Sequence, residues 1–337
     1  MKTFKMVLLA GILLMSGSCK EKPKQVQKEV VETMKYPHDV IPFMQDWKIL
    51  CGDGTRSEDL VKFSKEDFFY VENDGETDWV VYKTPNAGIT SRTSSNTRTE
   101  LGQKAHWIPE TGGKLTGKLK VMHVSTTGDA TKASSFSTVV GQIHSDEGHE
   151  NEPLKIFYKK FPGHTKGSVF WNYEINTAGS NDGRWDFSTA VWGYDFSEIG
   201  TSANEYPEEP EDGIALGEEF SYEVNVYEGI MYLTFKSEGH ETIKFTKSLV
   251  MSDFPKKEDI PQQIIDVYSS RRKVSVERDT AYAGEINYFK QGCYNQANPK
   301  STNSEVYGGD ITKQYANGSY AEVWFREAAV GAGTVPK

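Results

Sequence analysis

Short segments rich in aromatic and β-branched residues recur along the chain, and they are separated by residues that favour turns. The clearest segments are Trp79–Tyr82, Phe136–Ile143, Val169–Ile175, Tyr222–Val226, Met231–Phe235, Glu285–Tyr294 and Tyr320–Phe325. Turn signals such as Asn73-Asp74-Gly75 and Asn181-Asp182-Gly183 lie between them. This rhythm predicts an antiparallel all-β fold, either a sandwich or a barrel.

The best helix candidate is Lys256–Arg272, in which Ile260, Ile264, Ile265 and Tyr268 follow helical spacing. We expect one short helix there, on the outside of the β-structure.

The stretch Asn204–Asp212 is strongly acidic and contains two prolines, so it could be mistaken for a linker between domains. Its flanking segments are both strand-like, however, and an insertion within one domain is the simpler interpretation. The sequence therefore predicts a single folded domain over residues 36–337, a size that all-β sandwiches and barrels reach.

The N-terminus predicts export. Lys2 and Lys5 precede the apolar run Val7–Met15, which is too short to span a bilayer and is typical of a signal peptide over residues 1–18. The Lys-, Glu- and Gln-rich segment 19–35 has no aromatic residue and cannot bury enough apolar surface to fold, so we expect a flexible tether.

The residues Ser16-Gly17-Ser18-Cys19 resemble the lipobox of bacterial lipoproteins. The resemblance implies cleavage before Cys19, lipidation of that cysteine and a lipid anchor in the bacterial outer membrane. Ser16 stands where leucine is usual, and the alternative is ordinary signal cleavage followed by secretion without a lipid.

The net charge of the chain limits the classes of ligand that it can bind. Without Lys2 and Lys5 the chain has 36 basic and 48 acidic side chains, a net charge of −12, which disfavours binding to nucleic acid. An acidic ligand would have to be bound by local positive charge.

After Cys19 the cysteines are Cys51 and Cys293, which could form a disulfide or remain as two separate buried thiols. We expect a monomer.

Three predicted strands each place polar side chains on one face and apolar side chains on the other, because strand residues alternate between faces. The polar faces carry Arg98 and Glu100; Gln142 and His144; and Tyr288, Lys290, Tyr294 and Gln296. The opposite faces carry Leu101; Val139, Gly141 and Ile143; and Phe289 and Cys293. Each strand is therefore expected to cover a core with one face and to offer hydrogen-bonding groups on the other.

These three segments resemble the signature motifs of the alginate lyases of polysaccharide lyase family 7, in the same order. The family's Arg-x-Glu-Leu-Arg is similar to Arg98–Leu101, although Gly102 replaces the second arginine. Its Gln-Ile-His and its Tyr-Phe-Lys-x-Gly-x-Tyr-x-Gln are matched by Gln142–His144 and Tyr288–Gln296. The resemblance implies a jelly roll of two antiparallel sheets, concanavalin-like, with a substrate groove on the concave sheet.

The resemblance also implies a reaction, the β-elimination of a uronate. Removing the C5 proton is prohibitive while the adjacent carboxylate keeps its full charge, so donors such as Arg98 and Gln142 must neutralise it. Tyr294 then protonates the leaving O4, while His144 is the base for guluronate and Tyr294 itself is the base for mannuronate. Glu100, Tyr288, Lys290 and Gln296 are expected to contact the substrate. Neither a metal nor another cofactor is required.

Two finer properties follow from single features. Ile143 in the middle motif is associated in this family with a preference for guluronate-containing linkages. The polar segments Ser145–Pro153 and Thr177–Gly213 lengthen the chain beyond a minimal jelly-roll lyase, in loops rather than in extra strands. If they close one end of the groove, the enzyme is exo-acting and releases mono- or disaccharides.

Other functions are less favoured by the residues. A carbohydrate-binding jelly roll without catalysis is the main alternative, and the intact set Arg98, Gln142, His144 and Tyr294 argues against it. A metal cluster around His144 and His149 has spacing that fits neither a helix nor a strand face. Glu174 could be a glycosidase carboxylate, but the sequence indicates no second one.

Overall fold

The computed structural model describes residues 35–91, 94–146, 151–177, 183–271, 273–298 and 310–337. The predicted signal peptide, Cys19 and almost all of the predicted tether lie outside these ranges, as do Glu147 and His149. Residues 35–337 form one compact unit. None of the helices in the described ranges has the length and apolar character that a membrane span requires.

The described chain forms two antiparallel sheets. The strands are β1 (Trp47–Leu50), β2 (Arg56–Ser57), β3 (Phe69–Asn73), β4 (Asp78–Pro85), β5 (Arg98–Gln103), β6 (Gly113–His123), β7 (Ser137–Ser145), β8 (Leu154–Lys159), β9 (Lys166–Glu174), β10 (Asp186–Trp192), β11 (Ile214–Ala215), β12 (Glu219–Tyr227), β13 (Ile230–Ser237), β14 (Ile243–Ser248), β15 (Asn287–Asn295) and β16 (Tyr320–Gly331). Among the described residues, one sheet has nine strands in the order β10-β9-β8-β7-β15-β5-β1-β2, with β11 also paired to β9. The other has seven, in the order β14-β13-β12-β6-β16-β4-β3.

Helices are few and short. They are α1 (Pro37–Val40), α2 (Gln262–Ser269) and α3 (Ile311–Asn317), with 3₁₀ turns at Met44–Asp46 and Lys257–Asp259. The predicted helix within Lys256–Arg272 is thus present but shorter, because Pro261 stands at its N-cap and a 3₁₀ turn precedes it.

The apolar core lies between the two sheets and contains large side chains from both. Tyr82 on β4 packs edge-on against Phe325 on β16, with ring centroids 5.5 Å apart, and Phe289 on β15 packs against Trp107 at 4.9 Å. Leu101 and Ile143 are also fully buried in this core, as strand alternation predicted. The two-sheet, all-β prediction is confirmed, and each of the seven predicted segments contributes to a strand.

The two cysteines in the described ranges, Cys51 and Cys293, are both free and buried, so of the two alternatives the structure has separate thiols and no disulfide between them. Burial raises the pKa of both Cys51 and Cys293 to about 12, which keeps the thiols protonated and unreactive.

Alternation fails at one predicted position. Val139 was expected to face the core with Ile143, but it belongs to a separate cluster with Phe157, Phe170 and Tyr294 on the opposite face of the sheet. The reason is a register shift between Val139 and Gly141 in the pairing of β7 with β8. An extra residue at a bulge reverses the facing of the strand beyond it.

Candidate active site

A cavity of about 710 Å³ lies on the face of the nine-stranded sheet that points away from the core. It is lined by seven of the eight predicted site residues: Arg98, Glu100, His144, Tyr288, Lys290, Tyr294 and Gln296. The eighth, Gln142, is fully buried and does not line the cavity. Strand pairing explains the gathering, because Tyr294 is the cross-strand partner of Arg98, Lys290 of Gln142, and Tyr288 of His144.

Arg98 and Tyr294 form the first half of the site. The guanidinium carbon lies 3.8 Å from the centroid of the phenol ring. Ser94 joins the two, because its Oγ accepts a hydrogen bond from Nη2 of Arg98 at 3.0 Å and lies 3.1 Å from the Tyr294 hydroxyl. The phenol oxygen is therefore held beside a buried positive charge and a hydroxyl group that can exchange protons with it.

Glu100 organises the floor of the cavity. Its carboxylate is ion-paired with Lys290 at 3.0 Å and with Arg98 at 3.3 Å, and it accepts a hydrogen bond from Nε2 of Gln142. Burial would raise the pKa of Glu100, but Lys290 and Arg98 hold it below its ordinary value. The carboxylate is thus ionised, and it holds two cations and an amide next to one another in the site.

Gln142 is expected to bind the substrate carboxylate. In the structure its side-chain amide donates to Glu100 instead. Its Oε1 atom is buried and accepts no hydrogen bond from the described residues. The direct role of Gln142 toward substrate stays a prediction.

His144 forms the second half of the site. Its Nδ1 lies 2.7 Å from the carbonyl oxygen of Ser145, so that nitrogen carries the proton and donates it, and Nε2 keeps its lone pair. The ring stacks on Tyr288 with centroids 5.2 Å apart. Burial and the nearby charge of Lys290 lower the pKa of His144 to about 4, so the imidazole is neutral and able to accept a proton near pH 7.

A dense charged cluster borders His144 at the β8–β10 end of the cavity. The Lys155 ammonium contacts Glu152 at 3.5 Å, Glu174 at 3.3 Å and Asp186 at 3.4 Å, and Nε of Arg184 contacts Glu174 at 2.8 Å. Burial, partly offset by Lys155, raises the pKa of Glu174 to about 7. The cations at this end are already neutralised by carboxylates of the protein.

The segment 193–200 covers the neighbouring surface of β8 and β9. Phe196 packs 5.4 Å from Phe157 and 5.9 Å from Phe170, against the cluster that includes Tyr294. Lys159 ties this segment down by donating to the carbonyl oxygen of Glu198 at 2.9 Å. This segment therefore covers the outer face of the sheet beside Tyr294.

This geometry corrects one prediction and supports another. The region Thr177–Gly213 was expected to be loop, yet it contains β10, the edge strand of the cavity-bearing sheet. Residues 193–200 of this region pack on the outer face of the same sheet, as described above. In Ser145–Pro153, the described residues Asp146 and Glu152 line the cavity.

Taken together, the cavity offers buried positive charge, a neutral imidazole and a phenol hydroxyl on adjacent strands. That combination can neutralise a carboxylate and move protons on either side of it. Within the described ranges, no group of three or more His, Cys, Asp or Glu side chains is placed to hold a metal ion.

Comparison with known proteins decides the family. A family model described as alginate lyase matches residues 42–332. The crystal structure of the exolytic family 7 alginate lyase AlyA5 from Zobellia galactanivorans superposes with a TM-score of 0.88 at 72% identity, over 90% of this chain and 99% of that one. The chain is an alginate lyase of polysaccharide lyase family 7.

More distant relatives of the lyase agree. An alginate lyase from Klebsiella pneumoniae is 27% identical over 268 residues, which are 69% of this chain and 73% of that protein. A crystal structure of the alginate lyase from Klebsiella pneumoniae matches 89% of this chain and 99% of that chain with a TM-score of 0.64 at 23% identity, a likeness of fold. Family membership excludes the non-catalytic and hydrolase alternatives and confirms the jelly-roll prediction.

The cavity of the lyase is also lined by residues that the sequence argument missed. Lys155 could have been predicted from the alternation of its strand. It lies between the core residues Leu154 and Ile156 and must therefore face the cavity. Ser94 and Lys48 had no such signal, since a loop serine and an exposed strand lysine are common in any sequence. Lys48 is the cross-strand partner of Gly102, the position where the family motif has an arginine.

Proposed function

We propose that the lyase cleaves guluronate-containing linkages of alginate by β-elimination at Arg98, His144 and Tyr294. The observation that carries the proposal is that the neutral Nε2 side of His144 and the hydroxyl of Tyr294 open into one cavity beside the Arg98 guanidinium. A preorganised donor of this kind stabilises a transition state by about 3 kcal/mol.

In the proposed step, Nε2 of His144 removes the C5 proton of the sugar. The electron pair of the C5–H bond forms the C4=C5 double bond, the C4–O4 bond breaks, and O4 takes the proton of the Tyr294 hydroxyl. Arg98 stabilises the charge that develops on the uronate carboxylate. Gln142, whose amide donates to Glu100 in the structure, would join it as a further donor when substrate is bound. Lys290, Tyr288, Gln296 and Glu100 shape the same cavity, and Glu100 acts by holding Arg98 and Lys290 in place.

The preference for guluronate rests on two features. Ile143 occupies the variable position of the middle motif, and His144 supplies a neutral base that is separate from Tyr294 in the same cavity. For mannuronate, whose C5 proton lies on the other face of the sugar, Tyr294 would have to act as both base and acid.

We further propose that the lyase attacks chain ends. At the β8–β10 side the cavity is lined by the charged cluster around Lys155, and the segment 193–200 packs on the neighbouring outer surface of β8 and β9. Both features support a pocket rather than an open groove. The 72% identical neighbour is described as exolytic, which supports the same mode.

The deciding experiment is to incubate the lyase with polyguluronate, polymannuronate and mixed alginate while following the ultraviolet absorbance of the unsaturated product. Early product sizes and viscosity are measured on the same samples. We expect fastest release from polyguluronate, mono- or disaccharides as early products and a slow fall in viscosity. A ladder of mid-length oligomers with quick viscosity loss would exclude the exo mode, and saturated products would exclude elimination.

Export to the cell surface is also a proposal. It is supported by Lys2 and Lys5, the apolar run Val7–Met15 and the lipobox-like residues before Cys19. We propose that Cys19 carries the lipid that anchors a monomeric lyase to the outer membrane. Metabolic labelling with a clickable fatty acid, compared between the wild type and Cys19→Ala, tests this.

A further inference from the structure

The basic side chains at the two ends of the cavity differ in whether they are paired with carboxylates of the protein. At the β8–β10 end, Lys155 and Arg184 are bound to three carboxylates of the protein, as described above. At the β1–β2 end, Lys48 and Arg56 line the cavity, and both side chains are exposed. Neither forms an ion pair or a side-chain hydrogen bond with any residue that the structure describes. Cationic charge is therefore available to a ligand at this second end.

No carboxylate that lines the cavity on β1, β2 or β5 is left to pair with these two cations. Of the cavity-lining residues on β1, β2 and β5, all described, only Glu100 is acidic. Its side chain is 1% exposed and already paired with Arg98 and Lys290. In a chain with a net charge of −10, an uncompensated basic edge next to the reaction centre is a specific feature of this place.

Strand register puts the cations in line with the site. Lys290 pairs with Gly102, and Gly102 pairs with Lys48 on the next strand, so the three lie in one row across the sheet. Lys48 is roughly 10 Å from Lys290 at ordinary strand spacing. Arg56 lies one strand further out, opposite Leu50, which is itself opposite Glu100.

Because Gly102 has no side chain, the side chain of Lys48 can lie across the strand at this position. A Cβ atom at Gly102 would have as its nearest neighbours Cε of Lys48 at 3.7 Å and Cγ of Lys48 at 3.8 Å. The aliphatic part of Lys48 therefore passes over the glycine, in the space that a larger residue at this position would share. The ammonium of Lys48 replaces the local positive charge that the motif loses with its second arginine.

We propose that Lys48 and Arg56 form an extension subsite that binds the carboxylates of successive uronate residues as the alginate chain leaves the cavity over β1 and β2. A sugar chain crossing the strands advances by about one pyranose per strand, so consecutive carboxylates reach the two cations. The inference rests on the proposed end-on attack: the β8–β10 end offers no uncompensated positive charge to further carboxylates, and the β1–β2 end receives the rest of the polymer.

The test is a chain-length series. Steady-state kinetics are measured for the wild type, Lys48→Ala, Arg56→Ala and the double variant on polyguluronate and on guluronate oligomers down to the shortest one cleaved. On the polymer we expect KM of the double variant to rise roughly tenfold with kcat within about twofold, since a partly exposed ion pair contributes a factor of a few. On the shortest oligomer, whose sugars end before β1, KM stays unchanged, and the polymer effect weakens at high salt.

Lys236→Ala provides a matched control, because it removes an exposed lysine from β13 on the other sheet. It should leave KM unchanged at every chain length. An equal rise in KM for polymer and shortest oligomer, or no rise at all, would overturn the subsite. Early product sizes of the wild type report separately on the exo mode, so a wrong mode of attack and a wrong subsite give different results.

Discussion

Nε2 of His144 lies 3.7 Å from Oε1 of Glu152, on the side of the imidazole that faces away from Ser145. Burial would raise the pKa of Glu152, but Lys155 lowers it below its ordinary value, so the carboxylate is ionised. A negative charge at this place stabilises the imidazolium that forms when His144 takes a proton, and so strengthens a base whose surroundings otherwise disfavour protonation.

Replacing Glu152 by Gln should therefore lower the pKa of His144 further below about 4 and weaken the base. We expect kcat on polyguluronate to fall roughly tenfold, which corresponds to about one pKa unit, and the acid limb of the kcat/KM profile to move to lower pH. The pH profile of the variant is compared with that of Asp146→Asn, which removes a cavity carboxylate that contacts His106 instead. An unchanged rate and limb would show that Glu152 does not act on His144.

Replacing Tyr294 by Phe removes only the phenol oxygen and its contact with Ser94. Because O4 then lacks its proton donor, turnover should fall by about 10³-fold, within the range for loss of a general acid. Binding of oligoguluronate, measured by calorimetry, and thermal unfolding should be nearly unchanged. Retention of near-wild-type turnover would contradict the assignment of Tyr294.

Replacing His144 by Ala should harm cleavage of polyguluronate far more than cleavage of polymannuronate, since only the first needs the imidazole. In the wild type, a His144 pKa near 4 keeps the base neutral, so polyguluronate activity should persist well below pH 6.5 and decline only as His144 becomes protonated. Rates on both polymers between pH 4 and pH 8 test this. Equal loss of both activities in the variant would rule out the division of labour.

Replacing Glu100 by Gln leaves Arg98 and Lys290 buried without their shared counter-charge. Loss of one partner from a buried ion pair costs about 3–5 kcal/mol, so the free energy of unfolding should fall by a similar amount. Because the folded-state pKa of Glu100 is lowered, its stabilisation is present above the unfolded pKa and disappears as pH falls through the folded value. Urea unfolding of both proteins at pH 7 and at low pH measures this, and the difference between them should shrink in acid.

If the segment 193–200 limits the space available to substrate beside Tyr294, replacing Phe196 by Ala should widen it. The ring packs against Phe157 and Phe170 beside Tyr294, and removing it leaves space over β8 and β9. We expect longer early products from polyguluronate, with the shift measured by mass spectrometry. Phe43→Ala, which removes an exposed phenylalanine outside the Phe157, Phe170 and Tyr294 cluster, is the control and should keep the wild-type product pattern.

The sequence by itself determined where most strands lie and which face of the sheet each side chain occupies, because both follow from the local pattern of residues. The alternation in Arg98–Leu101, Gln142–His144 and Tyr288–Gln296 was sufficient to predict seven of the cavity-lining residues, because a strand has a period of two and one face must be buried. It was not sufficient for Val139, where a bulge interrupts that period.

Only the tertiary structure decided how distant segments meet. Several contacts in the site join parts of the chain that share no local pattern. They are the contacts of Ser94 with Tyr294, of Glu152 with His144, of Lys48 with Gly102, and of Phe196 with β8 and β9. Such contacts depend on strand order and on loop paths, which are fixed by packing of the whole core. A period of two carries information about the face of a side chain and none about its neighbour across the sheet.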